Sequence, residues 1–394
     1  MNNKSFNTKY STMQFCYFAA YAALFAYATN YLSNLGFSSG MIGTVLSLTS
    51  VIGVFVQPAV ASFADRRKDI KLQTFVTVFI GLAVILSAVM YLISVLLTIP
   101  GSMIYLFLFI GICVGMGAIG PILNSLAFAF EKYGIKINYG LARGIGSAAY
   151  AIISLGVGYI VDALGTSVLP IVYSIFNIAL ILIVRSFVVP QVESSEGEKE
   201  EEEQLSFFQF MFKYKAFMFF VLASMFVFFD HTIINNFYIK VIEPIGGTSG
   251  AMGTAIFIAA IVELPAMTAL DKIKEKVSIK KLLIFSAIMF AVKHTLTYMA
   301  TDMTLIYVAA FTQVAAYAIF YPSMVYFVNE VVDSKDLVKG QSLIAVAYTA
   351  TGIFANIVGG NLLDAIGAHQ VLFYGVIVSI IGAVLVFISV NANK

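Results

Sequence analysis

Charge is what this chain of 394 residues has least of: Lys and Arg number 23 and Asp and Glu 21, together 11% of the sequence, against about a quarter in an ordinary soluble protein. So few charges cannot coat a soluble globule of this size. Cysteine is scarce as well. Cys16 and Cys113 have no paired spacing, which excludes a disulfide framework and a cysteine metal cluster and leaves both as packing residues. There is no tryptophan. The stretch from Met1 to Met13 is polar and no small-residue cleavage site follows the first apolar run, so no cleavable signal peptide is expected. His/Cys/Asp metal spacing, Gly-x-Ser-x-Gly and a phosphate loop are all missing, so neither an enzyme, a metal nor a cofactor is expected. No ATP-binding domain is legible.

What the chain has is apolar sequence, 60% of all residues at a mean hydropathy of +0.93. It comes in runs of about 20 residues or longer, the length that crosses a hydrocarbon core. The runs predict an all-α membrane protein of twelve transmembrane helices, near 11–33, 40–63, 72–97, 103–130, 139–161, 167–189, 212–238, 249–270, 278–300, 304–329, 340–363 and 369–391. With the N-terminus inside, the inner loops hold Arg66, Arg67, Lys68, Lys71, Lys132, Lys136, Lys272, Lys274, Lys276, Lys280, Lys281, Lys335 and Lys339, and the outer loops only Lys240. The positive-inside rule then puts both termini in the cytoplasm of a cell with a bacterial-type inner (plasma) membrane. Because charge here is sorted by membrane side, the net +2 gives no reason to expect a nucleic-acid partner.

Between spans six and seven, VPQVESSEGEKEEEEQ carries seven glutamates and one lysine and nothing apolar to bury, which predicts a disordered cytoplasmic linker. The expected organisation is an N-terminal six-helix half (1–189), the acidic linker (190–206) and a C-terminal six-helix half (207–394). The halves resemble each other. The segment around Pro58 and Asp65 recurs loosely around Pro265 and Asp271, and GYIVDALG (158–165) recurs as GNLLDAIG (360–367). The matches fall in the second and fifth span of each half, in the same sense, a parallel duplication of the kind in which the binding site lies at the membrane midplane between two rocking halves.

Charged groups inside spans stand out, because each costs about 2.5–3.5 kcal/mol at a helix centre on insertion scales. Asp230, Glu263 and Lys293 lie deep in apolar sequence. Glu263 has small neighbours, Ala259 and Ala260, and is the first candidate for a proton-carrying carboxyl, Asp230 the second. The blander alternatives are an ion pair of Glu263 with Lys293 that only locks two helices, and a pairing of Asp230 with Lys293 or His231. His294, beside Lys293, suits a proton carrier or a hydrogen-bonded helix contact.

Arg143, Ser147, Tyr150 and Ser154 follow at i, i+4, i+7 and i+11, which sets a cation, two hydroxyls and an aromatic ring on one helix face. Such a stripe can fork-bind a hydroxylated or anionic solute and stack on its ring, or act as interhelical glue. Asn124 and Glu131 lie on the preceding span. Other polar or aromatic faces carry Gln14, Tyr17, Tyr21 and Phe25 on span one, His231, Asn235 and Tyr238 on span seven, and Gln313, Tyr317 and Phe320 on span ten. Aromatic stripes are most often packing, and the amides point more plausibly to an aqueous cavity.

At ASFADRRKDIK (61–71) the chain resembles the major facilitator superfamily signature Gly-x-x-x-Asp-Arg-x-x-x-Arg-Lys, with Ala61 in place of the first glycine. The resemblance implies a cytoplasmic gate held by Asp65 and Arg66. NYGLARGIGSAAY (138–150), FFDHTIINNF (228–237), VELP (262–265), IMFAVKH (288–294) and VGGNLLDAIG (358–367) are together similar to the lactose-permease-like branch of oligosaccharide and nucleoside proton symporters. That likeness implies proton-coupled uptake of a sugar, glycoside or nucleoside, with Arg143 and Tyr150 on the solute and Asn124 standing where the branch has an acid. The departures are specific. The His and Glu of helix ten are absent from FTQVAAYAIFYP (311–322), Tyr348 stands where a helix-eleven lysine pairs an aspartate, and the stacking tryptophan is Tyr150. Lactose itself is therefore not the expected solute, and the coupling must be arranged differently.

The expected solute site comprises Arg143, Ser147, Tyr150, Asn124, Tyr17, Tyr21, Asn235, Lys293, Gln313 and Tyr348, with proton coupling at Glu263, Asp230 or His294. The expected partners are the bilayer, a small solute and H+, and the expected state is a monomer. Two other functions stay open. A proton-coupled drug or metabolite exporter would share the fold, although SLGVGYIVDALG (154–165) lacks the glycine-proline motif of such exporters. A membrane sensor without transport is the other.

Overall fold

The computed structural model describes residues 3–67, 69–97, 99–129, 135–187 and 206–392. The acidic segment 190–206, apart from Ser206, lies outside the described residues, as do Lys68, Glu131 and Lys132, and the side chains of Asp65 and Asp271 are likewise not described. The chain divides into two compact units, one of Met1–Ser195 with Thr248–Phe257, the other of Glu196–Gly247 with Ile258–Lys394. Among the described residues, ten helices are long and apolar enough to cross a membrane.

Unit 1 is built from α1 (Asn3–Leu24), α2 (Ala28–Asn34), α3 (Ser39–Arg66), α4 (Leu72–Leu96), α5 (Met103–Ala118), α6 (Gly120–Ala129), α7 (Tyr139–Leu164) and α8 (Leu169–Arg185). The first expected span is interrupted, because α1 ends at Leu24 and α2 starts at Ala28. The break keeps its hydrogen bonds: Phe25 N–H reaches the Tyr21 carbonyl and Ala28 N–H the Phe25 carbonyl. It is fixed by its own side chains, Phe25 and Tyr27. The Tyr27 hydroxyl donates to the Ser154 carbonyl on α7 at 2.5 Å, and the Phe25 ring packs against Phe109 and Tyr173. Pro121 falls at the second residue of α6, where its missing N–H costs no helical bond, so the fourth expected span is two helices meeting at Ile119. Side chains start the long helices. Ser38 accepts from Met41 N–H at the head of α3, and Asn138 from Leu141 N–H at the head of α7, each satisfying a donor the helix leaves open. Cys16 is buried, Cys113 half-buried, and both are free thiols.

In unit 2, α9 (Phe207–Lys213), α10 (Lys215–Asn236), α11 (Tyr238–Ile242), α12 (Ser249–Lys274), α13 (Ile279–Met299), α14 (Met303–Phe311), α15 (Tyr317–Val331) and α16 (Leu337–Ala392) follow in order, the first turns of α12 belonging to unit 1. Lipid is as apolar as the helix surfaces, so helices associate through packing and polar contacts rather than by escaping water. The packing here is aromatic. Phe228 meets Phe290 at 5.8 Å and Phe320 at 5.4 Å between centroids, both edge-on, and Phe220 meets Phe327 at 4.7 Å. Such pairs contribute about 0.5–1.5 kcal/mol each beyond area burial.

The last two expected spans, 340–363 and 369–391, are two helices that meet inside α16 at the non-helical Gly367 (φ 77°, ψ 166°). Gly165, which ends α7, has φ 82° and ψ 170°. These are the final glycines of GNLLDAIG and GYIVDALG, so the two matched segments share a left-handed backbone corner that a side chain would strain.

Ahead of the first span of unit 2, the Lys213 ammonium lies 2.6 Å from Asp333 and 3.0 Å from the buried Asp336, and the Tyr214 hydroxyl donates to Asp336 at 2.8 Å. The bond to Asp333 raises the Lys213 pKa above the ordinary lysine value, and the same bond lowers that of Asp333.

Candidate functional site

In unit 1 a cavity of about 220 Å³ is lined by Gln14, Tyr17, Phe18 and Tyr21 of α1, Gly120, Leu123 and Asn124 of α6, and Arg143 of α7. Residues 14, 17, 18 and 21 share one face of α1 because they recur at helical spacing. Arg143 is exposed to this space. Its guanidinium lies over the Phe18 ring at 4.2 Å, and one Nη donates to the Ser147 hydroxyl one turn along at 3.0 Å. Ser147 and Phe18 thus aim the arginine without cancelling its charge. Asn124 is exposed and accepts from the Tyr139 hydroxyl at 3.3 Å. Gln14 is buried and donates to the Tyr10 hydroxyl, which in turn donates to the Leu123 carbonyl. Tyr21 stacks on Phe25 at 4.6 Å and meets Tyr150 at 6.4 Å.

Of the sequence-predicted solute residues, then, Arg143, Asn124, Tyr17 and Tyr21 line one cavity, while Ser147 and Tyr150 touch lining residues, Arg143 and Tyr21. Phe18 escaped sequence reading. An aromatic at i+1 from Tyr17 breaks no pattern, and only the arginine stacked on it, far along the chain, gives it a role.

Unit 2 holds a different constellation. Lys293, 5% exposed, donates to Gln313 Oε1 at 2.5 Å, and Gln313 Nε2 donates to Glu263 Oε1 at 2.8 Å. The ion pair weighed for Glu263 and Lys293 is therefore a relay: the amide uses its carbonyl on the cation and its N–H on the carboxylate, satisfying both ends at once. Asp230 is fully buried and pairs with neither of the partners weighed for it. Its nearest basic atom is His294 Nδ1 at 3.4 Å, and that nitrogen also lies 2.9 Å from the Ser379 hydroxyl. Neither Asp230 oxygen is hydrogen-bonded among the described residues. Gly375 packs directly on the carboxylate, and a Cβ there would collide with it. His231 lies 3.0 Å from the Asn235 side-chain nitrogen, and its ring stacks on Tyr317 at 5.6 Å and His294 at 6.3 Å.

Asn235 and Tyr348 are the remaining expected residues of unit 2. Asn235 is exposed. Tyr348 is 38% exposed and meets the Phe228 ring edge-on at 5.2 Å. Arg66, expected in a gate, is exposed in the last turn of α3.

A polar contact that sequence reading left without a role joins α7 to the start of α12. Asp162 accepts from the Thr248 hydroxyl at 2.7 Å, from Ser249 N–H at 2.9 Å and from Gly250 N–H at 2.8 Å. A carboxylate at a helix N-terminus satisfies open donors and meets the positive end of the dipole. Asn30 adds a bond to the Ser249 hydroxyl at 2.9 Å.

Comparison with known proteins gives this geometry its context. The chain matches the model of the MFS_1 like family over residues 7–375. It is 24% identical to a maltose permease of Geobacillus stearothermophilus, over 98% of this chain and 95% of that protein. It is 22% identical to the uncharacterized transporter YwbF of Bacillus subtilis, over 91% and 86%. In fold it is similar to the nucleoside transporter NupG, with a TM-score of 0.78, 15% identity and 100% of both chains covered. A bacterial homologue of the lysosomal transporter Spinster, in an inward-facing and unoccupied conformation, superposes with a TM-score of 0.67 at 13% identity, covering 99% of this chain and 97% of that one. The match over nearly the whole chain shows that this multi-pass protein of bacterial membrane type belongs to the MFS_1 like family, within the major facilitator superfamily, and is a secondary-active transporter of small molecules.

Proposed function

We propose that the chain takes up a small polar solute, a sugar, glycoside or nucleoside, together with protons by alternating access. In this reading twelve spans form two pseudo-repeated six-helix halves, 1–189 and 207–394, joined by a cytoplasmic linker at 190–206. Both termini are cytoplasmic, Asp65 and Arg66 act in the gate, and the transporter works as a monomer. The observation that carries it is the cavity of unit 1, where an arginine, two tyrosines and two amides converge on one space. That mixture of rings, amides and one fork-shaped donor suits a hydroxylated ring compound. The names of two similar proteins, a maltose permease and a nucleoside transporter, support the same solute classes.

The proton-handling groups in this reading belong to unit 2. Glu263 is the first choice, because it is a carboxyl deep in a span and is held by an amide that can exchange partners. Asp230 and His294 are the alternatives. Lys293, Gln313, Asn235 and Tyr348 complete the proposed polar surface.

A thermal-shift screen of the detergent-purified chain against sugars, sugar acids, glycosides and nucleosides tests the solute class, since a ligand that binds the folded state raises its apparent stability. A compound from these classes should stabilise the protein, and Arg143→Lys should weaken the effect sharply, because an ammonium cannot reproduce the planar fork. A panel without any stabilising member, or a stabilisation unchanged in Arg143→Lys, would contradict the assignment.

A further inference from the structure

Arg143 is a cation that the cavity does not neutralise. A guanidinium has five N–H donors and keeps its charge throughout the accessible pH range. Here one nitrogen donates to Ser147 and one face rests on Phe18. Both contacts hold the group in place, and neither brings a negative charge. Among the described residues that line the cavity there is no carboxylate, and the position opposite on α6 is an amide, Asn124, already engaged with Tyr139.

As long as the cavity is wet, water solvates the charge. Alternating access requires a step in which the solute is enclosed and that water is displaced, and a cation left unpaired in a low-dielectric space is costly. With no carboxylate among the described lining residues, the cargo is the group that can bring the counter-charge. A neutral sugar offers hydroxyls only. A carboxylate meets the guanidinium fork to fork, with two parallel hydrogen bonds and a neutral sum. With one arginine and no second cation among the described lining residues, the cavity balances a monoanion better than a doubly charged phosphate.

We infer that the solute of this cavity carries a carboxylate, as a sugar acid or an acidic glycoside, and that Arg143 binds that group while Asn124, by not being acidic, sets the preference for anions. The inference rests on the reading of the unit 1 cavity as the solute site.

The test uses the full chain in detergent and three probes that differ at one carbon, D-glucose, D-glucuronate and D-glucose 6-phosphate, with their methyl glycosides where these exist, titrated calorimetrically. The uronate should bind about tenfold to a hundredfold tighter than the neutral sugar, the factor carried by a charge-assisted hydrogen bond, and the difference should shrink as salt is raised. Two substitutions should erase the preference by opposite routes. Arg143→Gln removes the cation, while Asn124→Asp supplies an internal counter-charge and should turn the preference toward neutral glucose. A merely structural role for either residue would lower binding of all probes together and leave their ratio unchanged, which would overturn the inference. Glucose binding as well as glucuronate, in an Arg143-dependent manner, would overturn it while sparing the solute site. Stronger binding of the phosphate would overturn the carboxylate assignment. Absence of Arg143-dependent binding of any probe would overturn the inference and the solute site together.

Discussion

The two units treat the cations on their long helices in opposite ways. In unit 1 Arg143 stands exposed at a cavity, braced by a ring and a hydroxyl. In unit 2 Lys293 is 5% exposed and is linked through the Gln313 amide to Glu263. A group whose hydrogen-bonding capacity is left open toward a cavity is available to a solute. A group satisfied by its own chain is not, but it can respond to a proton, because any change of charge on one member of a relay alters the bonds of the others. The contrast extends to the carboxyls. The cavity of unit 1 has none among its described lining residues, whereas unit 2 encloses Asp230 so completely that a glycine, Gly375, is needed to leave room for it.

Glycines measure that contrast directly. Gly375→Ala should destabilise the protein by about 1–3 kcal/mol, the usual cost of overpacking, because the new methyl group meets the Asp230 carboxylate. Asp230→Ala in the same chain should recover much of the loss, as expected for residues in contact. In the cavity, Gly120→Ala places its methyl 3.4 Å from the Tyr17 hydroxyl, an ordinary contact, and should change stability by less than about 0.5 kcal/mol. Thermal unfolding in detergent reads all three. Equal losses at the two glycines would erase the distinction between an open site and a closed cluster.

Next in size is the cap on α12. Asp162→Ala removes one hydroxyl and two backbone partners and should lower stability by about 1–2 kcal/mol. Asp162→Asn keeps an acceptor and should cost less. An unchanged midpoint in Asp162→Ala would show that water replaces the cap at no cost.

The smallest effect belongs to the ion cluster outside the spans. Asp333 is held below the ordinary aspartate range by Lys213, so its contribution is present above that range and lost as pH falls through the lowered value. Lys213 is held above the ordinary lysine range, so its contribution is present below that range and lost only as pH rises through the raised value. Stability from this cluster should be level near neutral pH and fall off in acid. Lys213→Met should flatten the acid limb slightly, and an acid limb identical to that of the wild type would contradict the coupling.

Much of this was legible in the sequence because the bilayer punishes exceptions. Asp230, Glu263, Lys293 and His294 announced themselves as polar residues in apolar runs, and the structure gathers all four in one unit. The end of α7 and the break inside α16 were marked by paired glycines that share a left-handed corner. What could not be read were contacts that depend on distant partners. The pause at Phe25–Tyr27 has neither proline nor glycine to signal it, and it depends on a bond to Ser154 127 residues away. Asp162 looked like part of a repeated motif, and its partners lie more than 80 residues further on. Gln313 was visible as a polar face, but its place between Lys293 and Glu263 required three helices to be assembled. The glycine that houses Asp230 carries no local signal at all.

The proposed division of labour, solute in unit 1 and protons in unit 2, is tested most directly by Glu263→Gln in proteoliposomes, using whichever compound the stability screen identifies. A membrane potential contributes about 2.3 kcal/mol per charge per 100 mV, so a cycle that moves one net charge can sustain roughly fiftyfold accumulation. The variant should still bind solute and exchange it down its gradient through the intact cavity of unit 1, and should lose accumulation driven by a proton gradient. Uphill uptake that persists in Glu263→Gln with an unchanged pH dependence would remove Glu263 from the coupling, and the same result in Asp230→Asn would contradict proton handling by these carboxyls altogether.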